Sequence, residues 1–178
     1  GCGVAMPEET EMAADPLTFT FADDGTFPNS RLPLLLYRSA IAPEETNPEA
    51  MERLFAGNDW PPQWRSGIYP FHHYHSTSHE VLGIARGSAR LMLGGPEGRE
   101  LSVSAGDVVV IPAGVAHRRL ASSADFLVVG GYPPGMDWDL LKGEPGDRPK
   151  ADRNIEAVPK PKSDPVRGSA GGLATAWV

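Results

Sequence analysis

Cysteine is almost absent from this chain of 178 residues: Cys2 is the only one, so no intrachain disulfide can form and no Cys-pair metal or redox motif exists. A terminal thiol without charged or His neighbours has no reason to be activated, and Cys2 reads as incidental. No apolar run approaches the roughly 20 residues that a membrane-spanning helix needs. Basic residues never cluster beyond a pair, and 16 Lys plus Arg against 23 Asp plus Glu give a formal net charge of −7. That balance makes nucleic acid and anionic membrane surfaces poor partners. The lack of disulfides suits a reducing compartment, so a cytoplasmic location is expected. The opening Gly1-Cys2-Gly3 has no initiator Met and no signal segment follows it, as in a trimmed chain. No internal repeat of solenoid period is visible.

What is present begins with length: 178 residues fit one domain with a core that needs no staples. Residues 1–16 are acidic and lack apolar periodicity, so they read as an N-terminal arm ahead of a single domain over 17–178. Leu17-Thr18-Phe19-Thr20-Phe21 starts a period-2 strand, Asp23-Asp24-Gly25 turns it, and Leu34–Tyr37 reads as a second, buried strand. A helix follows with full punctuation: Asn47 to cap it, Pro48 at its first position, Glu49 at the positive end of its dipole and Gly57 to stop it. Met51, Leu54 and Phe55 share one face of that helix, which should lie outside a sheet. From Gly67 to Tyr132 short strands alternate with Gly, Pro and Ser: 69–75, 80–85, 89–93, 100–103, 108–111, 116–120 and 126–129. This rhythm signals an all-β sandwich or barrel. Residues 140–178 are rich in Pro, Gly, Lys and Asp, with Ile155, Val158, Leu173 and Trp177 as apolar anchors; composition alone would leave this tail extended or partly disordered.

Two spaced sets carry the chemistry: Gly67-x5-His73-x-His75-x4-Glu80-x6-Gly87, and Gly106-x5-Pro112-x-Gly114-x2-His117. Residues two apart on a strand point to one face, so His73 and His75 can lean onto one ion while His72 and Tyr74 face away. Glu80 opens the next strand and can close onto the same ion. Pro112-Ala113-Gly114 turns the chain back so that His117 starts the returning strand. Three imidazoles and one carboxylate make a site for one divalent transition metal with room for substrate.

Both sets match, position for position, the two motifs of the cupin superfamily. Trp60, Trp64, His72–His75, His79–Gly83, Val158–Pro161, Asp164–Val166 and Trp177 resemble the YjlB-like branch of small single-domain bacterial cupins. The resemblance implies a mainly β fold, a double-stranded β-helix or jelly-roll barrel with one or two peripheral helices. It implies a metal-binding core over 67–132, a tail over 140–178 packed on the barrel, and a homodimer formed through edge strands. It makes His73, His75, Glu80 and His117 the ligands, in a superfamily that uses Fe, Mn, Zn, Ni, Co and Cu. One departure is Ala121, where an Asn often ends the second motif; it bears on local hydrogen bonding and not on the metal.

The resemblance also implies a metal-dependent enzyme acting on a small organic molecule, oxygenation being preferred. The alternatives are redox-neutral isomerisation, decarboxylation or hydrolysis, or a non-catalytic cupin that binds a small ligand or metal. Candidates beyond the ligands are His79, expected in a turn as an exposed or ligand-supporting His; Tyr69 and Phe71, which share the parity of His73; and Arg119, able to hold a carboxylate or to sit on the rim. Trp60 and Trp64 are either a lid over the barrel mouth or a plug outside it.

Overall fold

The computed structural model describes residues 14–178, so Cys2 and most of the N-terminal arm lie outside the described residues. Strands β1 (Leu17–Phe21) and β2 (Ser30–Tyr37) lead into a 3-10 turn at Pro43–Glu45 and helix α1 (Pro48–Gly57). Then come β3 (Pro62–Ser66), β4 (Glu80–Arg86), β5 (Ser88–Leu93), β6 (Arg99–Ser104), β7 (Val108–Ile111), β8 (His117–Ser122) and β9 (Leu127–Gly131). The tail adds α2 (Lys150–Ala157) and α3 (Leu173–Ala176), so three α-helices flank the barrel where one or two were expected. The strands form an antiparallel six-stranded sheet, β1-β2-β7-β4-β9-β3, facing a three-stranded sheet, β6-β5-β8. This is the expected jelly roll.

Strand parity divides the core in two. Leu34, Leu36, Leu82, Ile84, Leu91, Leu93, Val109 and Ile111 fill the space between the sheets. The alternate residues Leu35, Val81, Val108, Val110 and Val129 face outward under Met51 and Phe55 of α1, Trp60, Leu173 and Trp177. Burial on both faces is why β7 reads as an unbroken apolar run. Helix α1 docks where β4 has no side chain: a Cβ on Gly83 would stand 2.6 Å from Phe55 Cζ. Its cap is the expected one, Asn47 accepting from the Ala50 amide at 2.8 Å. Gly57 stays within the helix and Asn58 ends it.

Two expectations need correction. The stretch 69–75 is not a ladder strand. It runs beside β8 and touches it at intervals, His73 and His117 exchanging backbone bonds of 3.2 and 2.9 Å and the Arg119 amide donating to Tyr69. Pro70, with no N–H, interrupts the ladder. The compositional reading of the tail also fails, because a few large anchors outweigh many polar residues. Trp177 is buried and donates its indole N–H to the Pro33 carbonyl at 2.7 Å, while Trp60 reaches across to the Ser163 carbonyl at 2.7 Å. The buried Asp164 carboxylate accepts from Tyr37 and from the Val166, Arg167 and Leu173 amides, satisfying backbone that would otherwise need water.

Candidate metal centre

Glu80 shares the inward parity of Leu82 and Ile84 on β4, and the pleat therefore aims a carboxylate into an otherwise apolar interior. His117 opens β8 opposite Leu93, and its backbone bridge to His73 brings the two rings to 4.1 Å between centroids. His75 lies two residues on, its ring 6.0 Å from that of His73. Gly114 makes this possible: its amide donates to the His75 carbonyl at 2.8 Å, and it holds a φ of 98° that a side chain rarely adopts. One donor atom from each of His73, His75 and His117 lies within 4.8 Å of the others. His75 Nε2 stands 3.2 Å from Glu80 Oε2, and His117 Nε2 stands 3.1 Å from Glu80 Oε1.

Backbone carbonyls decide which ring nitrogens point inward. His73 Nδ1 meets the Phe71 carbonyl at 2.9 Å, His117 Nδ1 meets Val115 at 3.1 Å, and His75 Nδ1 meets Asp139. A carbonyl only accepts, so each Nδ1 carries a proton and each Nε2 is turned toward the centre; His73 and His117 present lone pairs there, while His75, held protonated by Glu80, offers one only once that proton leaves. The His117 lone pair then faces Glu80 Oε1 at 3.1 Å, which is repulsive unless a cation lies between them. Two donors about 2.1 Å from one ion and at right angles stand about 3 Å apart, so the spacing suits a divalent transition metal. Glu80 Oε1 is buried with no hydrogen-bond partner, and an ion would supply the missing contact.

Electrostatics agree with this arrangement. Burial lowers the His73 pKa to about 3, and His117 adds to the effect. Burial alone would lower His75 as well, but the Glu80 charge and hydrogen bond lift it to about 8. Burial would raise Glu80; its histidine partners instead hold it well below the usual carboxylate range. A negative charge is thus fixed in the cluster, and a proton on His75 is what a cation would displace.

Above the cluster opens a cavity of about 450 Å³, walled by Trp64, Ile68, Tyr69, Leu82, Tyr132, Trp138 and Leu140. Trp64 Nε1 donates to the Tyr132 hydroxyl at 2.9 Å, which donates in turn to Glu80 Oε2 at 2.9 Å. The two tryptophans therefore separate: Trp64 lines the cavity and Trp60 plugs the outer face of the large sheet. Tyr69 lines the mouth, half exposed, and stacks on Phe71 at 4.9 Å.

Two candidates sit elsewhere. His79 is buried, not exposed: its Nδ1 accepts from the Ala113 amide at 2.9 Å, Nε2 reaches the Pro159 carbonyl at 3.0 Å, and its ring packs on Trp177. It ties the tail to the turn before His117 and does not face the cavity. Arg119 donates from Nε to the Ile68 carbonyl at 3.0 Å and does not line the cavity. Sequence reasoning missed Tyr132, Trp138 and Asp139. No motif marks them: the Leu141–Tyr74 bridge is what lays Trp138 and Asp139 beside the His73–His75 stretch, and Tyr132 is placed by the end of β9.

A family model described as "Cupin domain" matches residues 60–129. The uncharacterised protein YjlB of Bacillus subtilis (strain 168) is 39% identical over 168 residues, covering 94% of this chain and 99% of its own. Similar solved structures include a DUF861 family protein of Thermotoga maritima, at 22% identity and TM-score 0.33 over 48% of this chain and 90% of that one. Another is acireductone dioxygenase of Bacillus anthracis, at 14% identity and TM-score 0.32 over 64% and 56%. With both motifs converging inside a jelly roll and a relative matched almost end to end, the chain belongs to the cupin superfamily, beside YjlB.

Proposed function

We propose that this protein is a metal-dependent enzyme that oxygenates a small organic molecule, with one divalent transition-metal ion held by His73, His75, Glu80 and His117. The observation that carries the reading is the partnerless Glu80 oxygen, 3.1 Å from His117 Nε2 and beside the His73, His75 and His117 cluster, at the floor of a mostly apolar cavity. When bound, a redox-capable ion such as Fe or Mn supplies electrons for O2 chemistry and a point of attachment for a substrate oxygen. The chain's own residues prepare the site. The Phe71, Asp139 and Val115 carbonyls fix the three ring orientations, and Tyr132 steadies the Glu80 carboxylate. Burial and the neighbouring Glu80 push the Tyr132 pKa up, so this hydroxyl keeps its proton and remains a donor.

Redox-neutral isomerisation, decarboxylation or hydrolysis needs an acid or base within reach of substrate. Apart from the four proposed ligands, Tyr69 and Tyr132 are the titratable groups among the described lining residues, and Tyr132 is engaged on both sides. That scarcity favours oxygenation. We further read residues 17–178 as one cupin domain and a homodimer as its working form, which sedimentation would check.

Elemental analysis of protein purified without added metal or chelator tests the reading, beside a His73→Ala/His117→Ala control. Near-stoichiometric Fe or Mn that the control loses, together with substrate-dependent oxygen uptake, supports it. Zn lost in the same way moves the assignment to Lewis-acid chemistry, and no metal in either sample removes the metalloenzyme reading.

A further inference from the structure

The cavity is as informative for what it omits as for what it holds. Among its described lining residues there is no Lys or Arg, and Glu80 is the only acid. Cations nearby are turned elsewhere: Arg118 donates to the Pro70 carbonyl at 3.0 Å, Arg119 to the Ile68 carbonyl at 3.0 Å, and Lys142 lies 4.9 Å over the Phe71 ring. A ligand with two ionised groups would lose its hydration with nothing to replace it. A dication beside the Glu80 carboxylate and three neutral imidazoles leaves one net positive charge, which a single ionised oxygen matches.

The walls are aromatic and organised. Tyr132 and Trp138 lie parallel, with ring centroids 4.0 Å apart and planes 8° from each other, and Tyr69 and Phe71 form a second stack at 4.9 Å and 18°. Three of the six large apolar side chains left exposed among the described residues, Tyr69, Trp138 and Leu140, line this one mouth at 52%, 44% and 40% exposure. Apolar groups concentrated at a cavity entrance mark a surface that awaits a ligand.

We propose that the cavity takes a flat, aromatic small molecule bearing no more than one ionised oxygen, its oxygen end toward Glu80 and the histidines and its ring against the Tyr132/Trp138 platform. This rests on the reading of the cluster as a metal centre for the charge at its floor, but the ring platform stands independently of it.

The test is calorimetric titration of the purified protein with 2-naphthol, 2-naphthyl phosphate and malonate, with metal content measured on the same samples. Expected results are binding of 2-naphthol at least tenfold tighter than of either dianion, weakened about tenfold by Trp138→Ala and largely restored by Trp138→Phe. Trp138 is nearly half exposed, so both variants should fold. Malonate or 2-naphthyl phosphate binding as tightly as 2-naphthol overturns the proposal, as does a Trp138→Ala protein that binds 2-naphthol unchanged. Metal-free samples that still bind 2-naphthol through Trp138 leave the platform standing and remove only the metal reading. Metal-loaded samples without ring selectivity do the reverse.

Discussion

Glu80→Gln should lower stability both without and with metal, and by more with it. In the metal-free protein the Glu80 carboxylate is buried at 3% exposure, and Oε1 faces the His117 Nε2 lone pair at 3.1 Å. An amide of the same shape can turn its NH2 toward that lone pair and keep its oxygen toward the Tyr132 hydroxyl. The change also removes the charge that holds a proton on His75 and so breaks a buried ion pair, and the metal-free variant should therefore be less stable than metal-free wild type by roughly 1–3 kcal/mol. In the loaded protein a second loss is added. Ion at 100 times its Kd adds about 2.7 kcal/mol to the fold, which for a chain of this size raises Tm by roughly 5–10 °C. Losing a charged ligand should weaken binding by about 100-fold or more, removing most of that rise. Thermal unfolding in EDTA and in excess metal ion, for both proteins, reads all four states. An equal metal-induced rise in both proteins, or a metal-free variant that melts above metal-free wild type, would refute the reasoning.

Tyr132→Phe should cost about 1–3 kcal/mol in urea unfolding, since it strands the Trp64 indole N–H and leaves Glu80 Oε2 with His75 alone. Chelator competition should show a metal affinity about 10–100-fold lower; an unchanged affinity would mean the relay does not steady Glu80. Asp139→Ala removes the carboxylate that accepts the Ser76 amide at 2.6 Å and so loosens the segment whose carbonyl orients His75. Its metal affinity should fall about tenfold with the ligands themselves untouched, and equal competition curves would count against the coupling. Burial lowers the His79 pKa from 6.5 to about 4, so the unfolded chain takes up this proton first and the fold loses stability as pH drops from 6.5 to 4. The loss amounts to about 3 kcal/mol, with stability fully present above pH 6.5. A His79→Gln protein, compared with wild type in EDTA, should show a flatter acid limb over that window; superimposable limbs would place the acid sensitivity elsewhere.

Local rules account for much of what the sequence determined by itself. Asn47-Pro48 starts a helix wherever it occurs, period-2 alternation makes Leu17–Phe21 a strand, and the His73-x-His75 spacing places two rings on one side of an extended chain. Spacing and family resemblance together indicated the jelly roll and brought four side chains under suspicion before any of them was seen to meet. Contacts between distant segments decided the rest. The stretch 69–75 read as a strand until its contacts with β8 proved intermittent, and His79 looked like a turn residue until the Pro159 carbonyl and Trp177 closed over it. The tail held few apolar residues, but two of them fell where β2 and α1 left room. Trp138 and Asp139 carry no signal because their roles arise from where the 133–141 segment crosses the barrel mouth, which the Tyr74–Leu141 bridge sets, and Tyr132 carries none because its hydroxyl acts only where the end of β9 meets Trp64 and Glu80. Neighbouring residues encode turns, caps and strand faces through short-range sterics, whereas the walls of a cavity and the partners of a buried oxygen are assembled from chain stretches that meet only once the core has closed.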